Sequence, residues 1–91
     1  MANLNIFAGL DISKAFFVFS ILSDGKTIRS AKFSNDQEGF LQLKSILPAG
    51  VHCIMEATGP YYLRLATWLH NNGFVVSVVN PLVIRRFAQM Q

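Results

Sequence analysis

Two acids stand where acids are costly. Asp11 closes the apolar run Asn5–Asp11 and Glu56 closes the run Val51–Glu56, and a carboxylate in such a setting is seldom buried without a cation or a hydrogen-bonding partner. If the two runs are neighbouring parallel strands, both carboxylates emerge at the carboxyl-terminal edge of one sheet, where open α/β sheets place their sites. Like charges brought that close repel, and a hard divalent cation with oxygen ligands relieves the repulsion; magnesium or manganese fits best. The chemistry such ions support best is in-line attack at phosphorus, with two ions about 3.5–4 Å apart stabilising the entering and leaving oxygens. Each acid alone has a plainer reading as a helix cap, a solvated strand end or a partner of Lys14 or Arg64. The pair argues for a site. A two-ion site commonly needs more than two carboxylates, and no acidic residue follows Glu56. Asp24 falls in a turn and Asp36 and Glu38 open a helix, so they are not expected at the same edge.

Other side chains carry weaker signals. Lys14, Arg85 and Arg86 are candidate nucleic-acid contacts as a group, because single surface charges are mostly solvated. Thr58 is expected to cap the helix that follows it, with a phosphate cradle at that helix start as the lesser alternative. Tyr61, Tyr62 and Trp68 offer faces for base stacking, but at helical spacing beside Leu65 and Leu69 they are read as core. His52 and His70 have no partner at zinc-ligand spacing and are read as structural. Cys53, the single cysteine, sits in a strand-like run where a buried free thiol is ordinary.

The elements that must position these residues follow from pattern. Asn5–Asp11 and Ala15–Leu22 are apolar on both alternate faces, as expected of central strands covered on both sides. Ile12-Ser13-Lys14 is a hairpin-sized link, and Ser23-Asp24-Gly25-Lys26 is a turn into a third strand, Thr27–Phe33. That strand carries Arg29 and Lys32 and reads as an edge. A helix starts near Asn35, with Glu38 three positions on as in a capping box, and presents Phe40, Leu43 and Leu47 until Pro48-Ala49-Gly50 stops it. After the strand Val51–Glu56, Pro60 suits a first helical position and Tyr61–Asn72 forms a second helix ended by Gly73. Phe74–Val79 is a fifth strand, and Asn80-Pro81 opens a third helix in which Val83, Ile84 and Phe87 pack while Arg85 and Arg86 lie outward. Right-handed crossovers make the later strands parallel to the first. The expected fold is α/β, a mixed five-stranded sheet in the order β-β-β-α-β-α-β-α with helices on both faces.

Composition bounds the rest. Ninety-one residues make at most one domain, and 52% hydrophobic residues with eight Phe against 14% charged residues exclude a disordered chain. No apolar run approaches the roughly 20 residues of a membrane span, and Met1-Ala2-Asn3-Leu4-Asn5 lacks the basic start of a signal peptide, so a cytoplasmic protein without membrane contact is expected. The net charge of +3 tilts toward polyanionic partners, although the basic residues form no concentrated tract.

Three stretches together resemble one family: Gly9-Leu10-Asp11-Ile12-Ser13-Lys14, Glu56-Ala57-Thr58-Gly59-Pro60-Tyr61, and Asn80-Pro81-Leu82-Val83-Ile84-Arg85-Arg86-Phe87-Ala88. They are similar to the N-terminal domain of transposases of insertion sequence family 110, the D-E-D-D transposases, over essentially the whole chain. The resemblance implies an RNase H-like fold of the Holliday-junction-resolvase type, with Asp11 and Glu56 the first two acids of a catalytic, metal-binding tetrad. The family's last two acids follow the Asn-Pro helix in a Lys-Thr-Asp-x-x-Asp motif absent from these residues. Residues 1–91 then read as the N-terminal part of the domain, incomplete at the C-terminus, inactive alone and binding magnesium or manganese weakly or not at all. The resemblance also implies DNA and a structured non-coding guide RNA as partners, homo-oligomers, and a separate C-terminal domain whose nucleophilic serine is neither Ser13 nor Ser20. Two other readings stand beside it. A nucleotide-binding domain of the actin and sugar-kinase group also begins with a hairpin after an acidic strand, but usually has Gly and Thr where this chain has Ile12 and Ser13. A non-catalytic assembly module is compatible with the apolar content.

Overall fold

The computed structural model describes residues 6–57 and 59–80. Five strands and two helices follow in the order β1 (Ile6–Ile12), β2 (Phe16–Ser23), β3 (Lys26–Ser34), α1 (Gln37–Ile46), β4 (His52–Glu56), α2 (Leu63–Asn71) and β5 (Val75–Val79). The strands form one sheet in the order β3-β2-β1-β4-β5. β1 is antiparallel to β2 and parallel to β4, and β4 is parallel to β5. The α/β class, the mixed five-stranded sheet and the edge position of β3 are as the pattern predicts.

Alternation along each strand decides what each face does. Ala8, Leu10 and Ile12 of β1, Phe17, Phe19 and Ile21 of β2, and Cys53 and Met55 of β4 are buried on one face. Phe40, Leu43 and Leu47 from α1 and Leu65 and Leu69 from α2 join them in a single core. Phe40 joins the layers, its ring 6.2 Å from Phe17 in the sheet and 5.7 Å from Trp68 on α2. Helices on both faces are therefore not what the described residues show, since α1 and α2 cover the same face. The opposite face leaves Phe7, Phe16 and Val18 more than a third exposed. The apolar residues on both sides of β1 and β2 suggested two covered faces, and the crossovers through α1 and α2 fall on one side. The expected third helix lies outside the described residues.

Local chemistry sets the joints. Asp24 and Gly25 both take positive φ, 52° and 80°, making the two-residue turn between Ser23 and Lys26 that suits a hairpin's twist. α2 ends in a Schellman arrangement, with the Gly73 amide donating to the His70 carbonyl and the Phe74 amide to the Leu69 carbonyl at 3.1 and 3.0 Å. The start of α1 differs by one residue from the pattern. Asp36, not Asn35, is the N-cap, its carboxylate accepting from the Gly39 amide at 3.0 Å and from the Ser34 hydroxyl at 2.8 Å. Those two bonds hold the Asp36 carboxyl below its usual range. α2 begins at Leu63, later than expected, because Pro60 and Tyr61 form a separate turn closed by the Leu63 amide on the Pro60 carbonyl. Thr58, the expected cap, lies outside the described residues. Cys53 is fully buried, and burial pushes its thiol up to about 11, which disfavours the reactive thiolate at neutral pH.

Gly39 explains how α1 sits so close to the end of β3. A Cβ there would overlap the Ser34 carbonyl, lying only 2.8 Å from its carbon, so the close approach requires a residue without a side chain. Gly39→Ala is therefore expected to destabilise the fold by about 1–3 kcal/mol in urea melts. An exposed helix interior would instead gain about 1 kcal/mol from the same change. A rise in the unfolding midpoint would show that α1 does not press on Ser34.

Candidate functional site

β1 and β4 pair in parallel, Phe7 with His52 through Leu10 with Met55. One step further along both strands come Asp11 and Glu56, at facing positions on strands that lie about 4.8 Å apart. Because Leu10 and Met55 are buried under the helices, the next residue on each strand points to the opposite face. Both acids accordingly border one open cleft of about 480 Å³ on the uncovered face, with Gly9, Val18, Ser20, Ile54 and Val79 among its other walls. The expected meeting of the two carboxylates at the carboxyl-terminal edge is what the topology produces.

Their setting differs from expectation in one respect. Both side chains are exposed, so neither carries the desolvation cost that an acid at the end of an apolar strand suggested. Nor does either take the plainer role of ion-pair partner, since neither has a hydrogen-bond or ion-pair partner among the described residues. Arg64, one proposed mate, lies on the helical layer with its guanidinium 5.9 Å over the Phe40 ring. Lys14 is exposed in the β1–β2 turn, three residues beyond Asp11. Arg85 and Arg86 lie outside the described residues.

The remaining acids stay apart. Asp24 sits in the β2–β3 turn and borders a separate groove with Phe7, Gly9, Leu22 and Ile54. β3 runs antiparallel to β2, hence parallel to β1, so its end at Ser34 reaches the same edge of the sheet as Asp11. Asp36 thus lies nearer that edge than its place at a helix start suggested, yet its carboxylate is engaged with Gly39 and Ser34 in capping α1. Among the described residues no three His, Cys, Asp or Glu side chains gather as a metal-ligand group. Two facing, exposed carboxylates nevertheless fit a hard cation, because magnesium is commonly held by one or two carboxylates, with water and substrate phosphate completing its octahedron.

His52 shares a 2.6 Å hydrogen bond with the Ser77 hydroxyl on the neighbouring strand, and His70 lies exposed in the last turn of α2. Trp68 and Tyr62 pack against the core, whereas Tyr61 is exposed. Sequence reasoning passed over the small residues Gly9 and Ser20. Both line the cleft beside Asp11, and their small size within otherwise bulky strands was a signal of it.

The family model for D-E-D-D transposases of the insertion sequence 110 type, described as a transposase, matches residues 8–91. Pilin gene-inverting proteins of Moraxella lacunata and Moraxella bovis are each 35% identical over 89 residues, covering 91% of this chain and 27% of their own length. The chain thus spans about a quarter of the curated relatives it matches. No helix among the described residues is long and apolar enough to cross a membrane. With the family match running from before Asp11 through Glu56 to residue 91, the chain belongs to the D-E-D-D transposases of insertion sequence family 110.

Proposed function

We propose that this chain is the N-terminal part of an RNase H-like catalytic domain that cuts and rejoins DNA strands with the help of divalent cations. The observation that carries the reading is the placement of Asp11 and Glu56 at facing positions on parallel strands, exposed at one open cleft. Membership of a transposase family and kinship to proteins named for inverting a gene supply the substrate class, because moving or inverting a DNA segment requires strands to be broken and joined.

Asp11 and Glu56 would be the ligands, and magnesium or manganese bound there would polarise phosphoryl oxygens and stabilise charge on the attacking and leaving oxygens. The chain's own residues do the positioning. β1 and β4 present the acids side by side, Gly9 and Ser20 leave room for a phosphodiester, and Lys14, exposed in the β1–β2 turn, would contact a DNA phosphate. Residues 1–91 supply two oxygen ligands, so the isolated chain is expected to bind the ion weakly and to lack strand-cutting activity. In the family's larger proteins we assign DNA, a structured guide RNA and further copies of the protein as partners.

Amide NMR spectra recorded during a manganese titration without nucleotide test the site. Broadening confined to residues around Asp11 and Glu56 by about millimolar metal is the expected result. Broadening elsewhere, or none, would remove the cation site from this chain. Phosphate contact by Lys14 has its own check. Lys14→Ala is expected to weaken binding of a short DNA duplex and to lower the slope of log affinity against log salt by about 1. An unchanged slope would take Lys14 out of the interface.

A further inference from the structure

The ladder between β1 and β4 ends at Leu10 and Met55, one residue short of the two acids. Asp11 is still paired on its outer side, with Val18 of β2, and Glu56 on its own, with Val79 of β5. No β1–β4 ladder pair falls at the two acids themselves, and the chain adds a second constraint just beyond them. The Asn35 side-chain Nδ2 donates to the Ser13 carbonyl at 3.0 Å and to the Tyr61 carbonyl at 3.2 Å. Its backbone N–H donates to the Ala15 carbonyl at 3.0 Å. Ser13 and Ala15 lie in the turn that leaves β1 after Asp11, and Tyr61 lies in the connection that leaves β4 after Glu56. One amide group thus spans the two chain exits from the acid-bearing strands.

The orientation of that amide is fixed by its surroundings, because reversing it would set its oxygen against two carbonyl oxygens. The Oδ1 atom is buried without a partner among the described residues. A buried acceptor left unpaired is destabilising, so a side chain serving only to fill space would be better without it. The two donors are what this position uses. Helix capping is not the reason either, since Asp36 performs it.

We infer that Asn35 is a positioning residue that sets the spacing of Asp11 and Glu56 by bracing the β1–β2 turn against the loop after β4. The inference rests on the reading of those two acids as a cation site, and the test separates the two. Manganese titrations followed by amide NMR would compare the natural chain with Asn35→Ala and with Asn35→Leu, which keeps the volume and removes both donors. Hydrogen exchange at the core amides of Ala8 and Cys53 would report folding. The expected result is a manganese midpoint about 10- to 100-fold higher in both variants, the range typical of lost outer-shell support, with core exchange unchanged. An unchanged midpoint would overturn the positioning role. Loss of core protection in both variants would overturn it as well, making Asn35 a folding residue. Absence of broadening at Asp11 and Glu56 in the natural chain would instead fail the cation site itself, and the role assigned to Asn35 would fall with it.

Discussion

Replacing Asp11 by Asn and Glu56 by Gln together is expected to abolish manganese-induced broadening at the β1–β4 edge while leaving the fold intact. Each substitution keeps the side-chain shape and removes one charge, so each single variant should already raise the manganese midpoint more than the 10- to 100-fold typical of outer-shell changes. Stability should shift by less than about 0.5 kcal/mol, because both side chains are exposed and lack partners among the described residues. That separation of effects is the signature of a ligand. If the double variant binds manganese as the natural chain does, the facing carboxylates are a geometric coincidence and the cation lies elsewhere. If it unfolds, the two acids are structural after all.

Phe17→Ala should show the opposite separation, a large loss of stability that has nothing to do with metal. Phe17 is completely buried, with its ring 6.0 Å from Phe33 on the neighbouring strand and 6.2 Å from Phe40 on α1. Truncating such a ring removes its transfer energy and leaves a cavity, costing about 3–5 kcal/mol. A domain of this size has only about 5–15 kcal/mol in total, so the loss is a large fraction of its stability and the urea midpoint should fall in proportion. Phe16→Ala next to it is the control, because Phe16 points to the uncovered face and is 37% exposed. It should cost far less. Equal losses at both positions would mean that the other face is covered as well, and a larger loss at Phe16 would mean that β2 is shifted by one residue, which reverses every side chain on it.

Much of this was legible along the chain because it depends on neighbours in sequence. Asp24-Gly25 sets a hairpin through its backbone preference, Gly73 ends α2 through its positive φ, and the alternating apolar residues of β1, β2 and β4 define strands of the right length. Arg29 and Lys32 identify β3 as an edge for a similarly local reason, since charged side chains discourage further pairing. The order of elements then forced β4 to run parallel to β1, since a connection through a helix must cross over. Asp11 and Glu56 came together at one edge from that topology alone. Their family followed from three short motifs.

What required the tertiary structure was everything set by residues distant in sequence. Phe7, Val18 and Ile54 are as apolar as Ala8, Phe17 and Cys53, so no pattern within a strand says which face α1 and α2 will cover; the crossovers decide that. The acids lie on the uncovered face, hence they are exposed rather than buried, and the cost that first drew attention to them is not incurred. Asn35 shows the same limit at a single residue. As an Asn near a helix start it has the form of a cap, and only the approach of Ser13 and Tyr61, 22 and 26 residues away, turns its side chain to another use. Local chemistry fixed the strands, turns and helix ends of this protein, whereas long-range packing decided which face is open and what holds the two acids at their distance.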